Sequence, residues 1–394
     1  MRGRFVLAWI AGICVCGANA HAQRTAPTGS GPSGVAPATR DSSTAAKVNA
    51  KKVLDWREGL SPGRKPQDAP KELKELVGIY RNGENKQIIL LEWVQALRMQ
   101  GGPGFGGALE LQPDGKWRMK LTRNYEIHVT VERDGSGKVV ALNLSHDLGR
   151  YVRADTGSDP TSFYHVTAVK PLEKLRAEAL AAKPPVEKGP FRKTELLELT
   201  ALDPGFHLDV RYASVNNFLS TPVYEHGAHM YLQKPAAENL VRVLQKLKPM
   251  GYGLLIHDAY RPWYVTKIFW DATPVEGHIF VADPQKGSKH NRGCAVDLTL
   301  YDLASGATVE MPGLYDEMSE RSFPNFPGGT WLQRWQRDLL RKAMESEGFT
   351  VNENEWWHFH YKDWKKYPIL NVTFDKVGKS ERATAPGKTE EKPL

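Results

Sequence analysis

The stretch Ser288-Lys289-His290-Asn291-Arg292-Gly293-Cys294-Ala295-Val296-Asp297-Leu298-Thr299-Leu300 decides how the C-terminal half is read. A histidine stands seven residues before an aspartate, with a glycine and an apolar run between them. The run from Ala295 to Leu300 reads as a strand. With His290 on the preceding loop and Asp297 on the strand, both side chains can converge on one cation. Zinc accepts that mixture of imidazole nitrogen and carboxylate oxygen.

Two further stretches complete the chemistry. Glu355-Trp356-Trp357-His358 offers His358 as a third ligand, which leaves one position open for water. Glu355, three residues earlier, is near enough to act as a general base. Residues three apart on a regular strand point to opposite faces, so a turn or bulge must bring both inward. Asp258-Ala259-Tyr260-Arg261-Pro262 follows the apolar run Leu254-Leu255-Ile256. An arginine fixed at a strand end before a proline is placed to hold a carboxylate or a developing oxyanion. No HExxH, paired CxxC or GxSxG occurs, so helical zincins, zinc ribbons and α/β-hydrolases lack their signatures.

Around these motifs the chain alternates helix and strand. Lys234 to Leu247 and Trp331 to Ser346 carry apolar residues at helical spacing, and Glu355 to Tyr361 reads as a strand. The mixture predicts an α+β domain over 194–372. Seven of the eleven tryptophans lie beyond residue 200 and mark an aromatic core or pocket there. Among the histidines, His226, His229, His257 and His360 are further candidates for lining the pocket. Cys294 sits in an apolar run and reads as a buried small hydrophobe rather than a nucleophile.

The N-terminal half is organised differently. Arg2 and Arg4, the apolar run Phe5 to Gly17, and Ala18-Asn19-Ala20 or Ala20-His21-Ala22 read as a signal peptide over 1–22. The run is short for a transmembrane helix, which predicts a periplasmic or secreted protein. Cys14 and Cys16 leave with that segment, so no internal disulfide is expected. Residues 23–50 are poor in large apolar side chains and read as a spacer. Over 51–170, Lys86 to Glu92 and Glu126 to Val131 alternate with turns such as Pro113-Asp114-Gly115 and Asp134-Gly135-Ser136-Gly137. That pattern predicts a small antiparallel β-sheet or barrel. Gly101 to Gly107 lacks phosphate-loop spacing and reads as a hairpin loop. A helix over Leu172 to Ala182 and a linker with Lys183-Pro184-Pro185 occupy 171–193, and 373–394 reads as a solvated tail. The net charge of +8 is scattered rather than blocked, which argues against nucleic acid as a partner. Contact with an anionic cell wall stays open.

Taken together, the motifs resemble the VanX-type D-alanyl-D-alanine dipeptidases, within the zinc D-Ala-D-Ala peptidase superfamily. Asp209-Val210-Arg211-Tyr212-Ala213, Asn216-Asn217-Phe218, the Asp258 to Pro262 segment, Ser288 to Leu300 and Glu355 to Phe359 occur in the family's order, over roughly 195–372. The resemblance implies one zinc held by His290, Asp297 and His358, Glu355 as base and Arg261 stabilising the tetrahedral intermediate. It implies that Ser288 contacts substrate and that Asp316 lies near the substrate's amino end, although Met311 to Asp316 departs from the family's Met-Gly-Thr wording. The implied activity is hydrolysis of D-Ala-D-Ala, a small peptide substrate, in cell-wall turnover. A D,D-carboxypeptidase, a broader dipeptidase on peptidoglycan fragments, or a non-catalytic wall-binding module are the alternatives. A binding module has no need of Glu355. The β-rich segment lies outside the family pattern.

Overall fold

Two consecutive structures follow from two kinds of hydrophobic period. The computed structural model describes residues 63–102, 105–154, 166–225 and 227–377. The segments read as signal peptide and spacer, residues 378–394 of the tail, and His226 lie outside the described residues.

Eight antiparallel strands close into a barrel: β1 (Gly78–Arg81), β2 (Gln87–Trp93), β3 (Ala96–Gln100), β4 (Gly106–Leu111), β5 (Trp117–Thr122), β6 (Tyr125–Arg133), β7 (Val139–Leu144) and β8 (Gly149–Arg153). Closure comes from β1 pairing with β8, Tyr80 opposite Arg153. The interior is filled by side chains, among them Tyr80, Ile88, Leu90, Leu97, Met99, Met119, Ile127 and Leu142. The glycine-rich stretch is the β3–β4 hairpin connection, closed by Gly101 N donating to Phe105 O at 2.8 Å. On β2 the apolar run is continuous rather than alternating, because both of its faces are buried. Ile88 and Leu90 point into the barrel, whereas Ile89 and Leu91 join Ile79 and Phe326 in a separate cluster.

The following α+β domain is built on a five-stranded sheet. Its strands are β10 (Phe206–Leu208), β12 (Tyr252–Asp258), β13 (Ala295–Asp302), β15 (Glu355–Tyr361) and β14 (Phe349–Asn352), in that spatial order. Only the β10–β12 pair is parallel. A two-stranded ribbon of β9 (Leu196–Glu198) and β11 (Tyr231–Gln233) lies beside it in sequence. Helices Lys234–Leu247 and Trp331–Ser346 pack on the sheet and on each other. The latter opens with a capping box between Thr330 and Gln333. On β13, Val296, Leu298 and Leu300 alternate with Asp297 and Thr299, so one face is aliphatic and the other carries polar groups.

The packed chain reaches further at both ends than the sequence suggests. Leu175 and Ala179 of helix Leu172–Ala181 belong to the α+β core, and Glu187 in the expected linker pairs with Arg292 and accepts from Ile369 N at 2.6 Å. Phe374, placed by sequence in a solvated tail, is buried against Tyr224 and Tyr260. Its aromatic ring finds a partner that short-range composition does not reveal. No helix among the described residues is long and apolar enough to cross a membrane.

Candidate active site

His290 is presented by a short helical turn, His290–Arg292, that Gly293 ends with φ at +64°. A Cβ at Gly293 would lie 2.5 Å from Leu196 Cδ2, so the left-handed turn and the tight approach both call for glycine. Asn291, fully buried, fixes this turn to the segment after β12. Its Nδ2 donates to Arg261 O and to Thr266 Oγ1, both at 2.8 Å, and its Oδ1 accepts from Ser288 N at 2.7 Å. Asp297 is the third residue of β13 and stands directly opposite His358 on β15.

These three side chains meet. His358 Nδ1 lies 3.0 Å from both Asp297 Oδ1 and His290 Nε2, and the third side of the triangle, His290 Nε2 to Asp297 Oδ1, is 3.4 Å. Donors about 2.0–2.1 Å from one tetrahedral cation stand about 3.3 Å apart, which matches this triangle. The proton count agrees. His290 Nδ1 lies 2.7 Å from the Ala259 carbonyl, which can only accept, so Nδ1 carries the hydrogen and Nε2 presents a bare lone pair. That lone pair faces a carboxylate oxygen and a second imidazole, a set richer in acceptors than in hydrogens. The residues present therefore fit a cation, and among the described residues this is the one His/Cys/Asp/Glu group with ligand-like spacing.

The surrounding groups tune it. Burial acts to raise the Asp297 carboxyl, but His290 and His358 outweigh it and hold it well below the usual range. Tyr315 OH donates to the second oxygen, Oδ2, at 3.2 Å. Glu355 Oε2 lies 3.9 Å from His358 Nδ1 and accepts from Asn352 Nδ2 at 2.8 Å. Burial pushes the Glu355 carboxyl up, with Asp297 adding to the push and His358 opposing it. The backbone irregularity that this pair requires is present. Val351 pairs with Phe359 and Asn352 with Glu355, so Trp356 to His358 bulge out of the β14 ladder.

Arg261 donates to Asp258 Oδ2 through Nε (2.9 Å) and Nη2 (2.5 Å), and its Nη2 is 3.9 Å from Asp297 Oδ2. It stacks on Tyr212 and Phe269, and although burial disfavours its charge, Asp258 keeps it protonated. Ser288 Oγ accepts from His290 N at 3.2 Å and lines the same cavity. Asp316 also lines it, in a left-handed conformation with φ at +58°. Tyr212 OH donates to both Asp316 oxygens, at 3.2 and 3.1 Å. The Asp316 carboxyl is pushed up to about 8, by burial first and then by the charges of Asp297 and Glu355.

The cavity encloses about 360 Å³ and is walled by Phe218, Phe269, Trp357 and Trp364. Sequence reasoning passed over Tyr315, Tyr212, Asn291 and Asp258. Asp258 alone had a usable signal, its three-residue spacing from Arg261. Among the described residues, the other candidate histidines stand apart from the triangle. His229 pairs with Glu198 at 2.9 Å, and His257 contacts Asp209 and packs on Tyr315. His360, beside Lys289, is pushed down to about 3 by burial and by that positive neighbour. Cys294 is fully buried, with its thiol pushed up to about 12 by burial, which suits packing and not nucleophilic attack.

The D-ala-D-ala dipeptidase family profile matches residues 192–378. The chain is 34% identical over 181 residues to the D-alanyl-D-alanine dipeptidase of Escherichia coli (strain K12), covering 46% of this chain and 92% of that protein. It is 33% identical over 188 residues to the dipeptidase of the same name from Enterococcus faecium and 35% over 187 to that of Enterococcus faecalis (strain ATCC 700802 / V583). Each of those two alignments covers 43% of this chain and 92% of the relative. Fold, site and relatives together define a metallopeptidase. The chain belongs to the D-alanyl-D-alanine dipeptidase family over its α+β domain, and the barrel lies outside the matched residues.

Proposed function

We propose that the protein hydrolyses the D-Ala-D-Ala dipeptide in a zinc-dependent reaction, in the turnover of cell-wall peptides. The observation that carries this reading is the 3.0–3.4 Å triangle of His290, Asp297 and His358 with Glu355 at its edge. Those three residues would hold the ion, and zinc when bound supplies a Lewis acid that polarises a carbonyl and makes water acidic near neutral pH. Glu355 takes the proton of the attacking water and passes one to the leaving amine. Its raised carboxyl brings it closer to the working pH than an exposed glutamate would be. Arg261, locked by Asp258, meets the negative charge that develops on the scissile carbonyl oxygen. Asp316, whose bonded partner is a neutral tyrosine hydroxyl, accepts the substrate ammonium, and Ser288 contacts the peptide. Aromatic walls around about 360 Å³ favour a dipeptide over a longer chain.

A substrate series tests this reading. The zinc-loaded protein is expected to release D-alanine from D-Ala-D-Ala far faster than it cleaves L-Ala-L-Ala or a D-Ala-D-Ala-terminated peptidoglycan peptide. Glu355→Gln is expected to keep its zinc and lose kcat by roughly 10²–10⁴. Equal turnover of the L,L-dipeptide would refute the stereospecificity, and preference for the longer peptide would make the protein a D,D-carboxypeptidase. Full turnover by Glu355→Gln would remove the base assignment.

A further inference from the structure

Between β13 and helix Trp331–Ser346 the chain runs through residues 303–330, whose one helical element is the turn Glu320–Ser322. A segment this long with so little regular structure must be held from outside to be precise. Precision matters here, because Asp316, Glu317 and Met318 line the cavity from this segment. Asp316 also has φ at +58°, a conformation that costs a non-glycine residue about 1–2 kcal/mol and persists only where the surroundings impose it.

The segment is knotted around Glu317, a fully buried carboxylate. Glu317 accepts from Leu314 N at 2.8 Å and from Ser319 Oγ at 2.5 Å, and it pairs with Arg321 at 3.3 Å. Arg321 Nε in turn donates to Pro312 O at 2.9 Å, and Ser322 Oγ bonds to the Glu317 carbonyl. A Cβ on Gly313 would meet Arg321 O at 2.6 Å, so the two arms of the knot are in close contact. Residues 312–322 are therefore tied to one another as a compact knot, with Asp316 on its cavity side.

The opposite side of that knot is gripped by the barrel. Arg81 Nη2 on β1 donates to Glu320 Oε1 and Gln87 Nε2 on β2 donates to Glu320 Oε2, both at 2.7 Å. Further along, Phe326 inserts among Ile79, Ile89 and Leu91, and Leu91 forms a bridge with Gly329. No barrel residue among those described lines the active-site cavity. The gripped segment is the barrel contact whose own residues also line that cavity.

We propose that the barrel is a brace for the active-site segment 312–322, and that Arg81 and Gln87 are positioning residues which set Asp316 through Glu320. This rests on the reading of Asp316 as the group that receives the substrate's amino end. The clasp is partly exposed, with side-chain accessibilities of 45% for Arg81 and 28% for Glu320, so it adds little to global stability. Its loss frees the segment locally without unfolding the chain.

The test uses the full-length zinc protein and the double variant Arg81→Ala/Gln87→Ala. Hydrogen exchange is expected to quicken at the amides of residues 314–323 while β13 and β15 keep their protection. KM for D-Ala-D-Ala is expected to rise roughly three- to tenfold with kcat within about twofold, and Arg81→Lys with Gln87 retained to recover most of that change. Unaltered exchange at 314–323 would overturn the brace. Faster exchange with KM unmoved, where Asp316→Asn does raise KM, would overturn the positioning role. Faster exchange with KM unmoved in both variants would support the brace and overturn the Asp316 reading instead.

Discussion

The Tyr315 hydroxyl occupies the one Asp297 oxygen that the imidazoles leave open, at 3.2 Å from Oδ2. A hydrogen bond to a metal-binding carboxylate orients it and tunes its charge, and the loss of such a partner typically costs 10- to 100-fold in metal affinity. Tyr315→Phe keeps the ring packing against Trp357 and removes that bond together with the 3.2 Å contact to the Tyr212 hydroxyl. Zinc affinity, measured by competition with a chromogenic chelator, is expected to fall about tenfold, with the thermal midpoint of the metal-free protein barely moved. An unchanged affinity would reduce Tyr315 to a packing residue. The cluster of His290, Asp297 and His358 was legible in the sequence because side chains able to hold a metal come from a short list of residue types. Tyr315 was not, because a tyrosine in an aromatic-rich half carries no spacing signal and acts through an oxygen 18 residues away in sequence.

At the scale of elements, the site depends on two departures from regular backbone. One is the bulge of Trp356 to His358, which lets a glutamate and a histidine three apart in sequence line one cavity. The sequence demanded an irregularity there, since strand geometry forbids the pairing otherwise. Where the extra residues go depended on the β14 register, which no local pattern contains. The other departure is the left-handed turn at Gly293, between His290 and β13. Gly293→Ala must place a methyl 2.5 Å from Leu196 Cδ2 in a conformation that already costs an L-residue about 1–2 kcal/mol. Destabilisation of at least that size is expected in urea denaturation. Loss of zinc affinity should accompany it, because the turn carries His290. A variant as stable as the parent would mean that β9, which carries Leu196, yields freely. Helices Lys234–Leu247 and Trp331–Ser346 and strand Glu355–Tyr361 were readable to their ends because their apolar spacing is regular. Helix Trp263–Ala272, apolar on most of its faces, was not read. Residues 303–330 were not, because their order comes from Glu317 and the barrel rather than from any repeat.

For the whole molecule the question is how a barrel and a peptidase domain become one body, and the answer centres on Glu92. It follows the apolar run of β2 and would be taken for a solvated strand end, yet it is fully buried. One carboxylate oxygen accepts from Gln95 N at 2.6 Å, inside its own hairpin, and the other from Trp331 N at 2.8 Å. It thereby caps the first turn of helix Trp331–Ser346 from the neighbouring structure, where an anion also meets the positive end of the helix dipole. Arg334 of that helix donates back to the Glu92 carbonyl at 2.7 Å, and Trp93 stacks on Trp331 with ring centroids 4.9 Å apart. The antiparallel barrel itself was foreseeable from its short runs and turns. This latch was not, because its partners lie 239 and 242 residues away. Glu92→Ala removes two charge-assisted bonds to backbone donors, from Gln95 N and Trp331 N, each worth about 1–3 kcal/mol. Global stability is therefore expected to fall by about 2–4 kcal/mol in urea denaturation. The single transition expected of the parent should split in the variant, with the tryptophan signal of the barrel interface lost before the zinc site opens. Glu92→Gln, which keeps one acceptor oxygen, should fall between the two. If Glu92→Ala instead unfolds in one transition at the parent's midpoint, the two structures are joined by the Ile89–Phe326 cluster and not by this carboxylate.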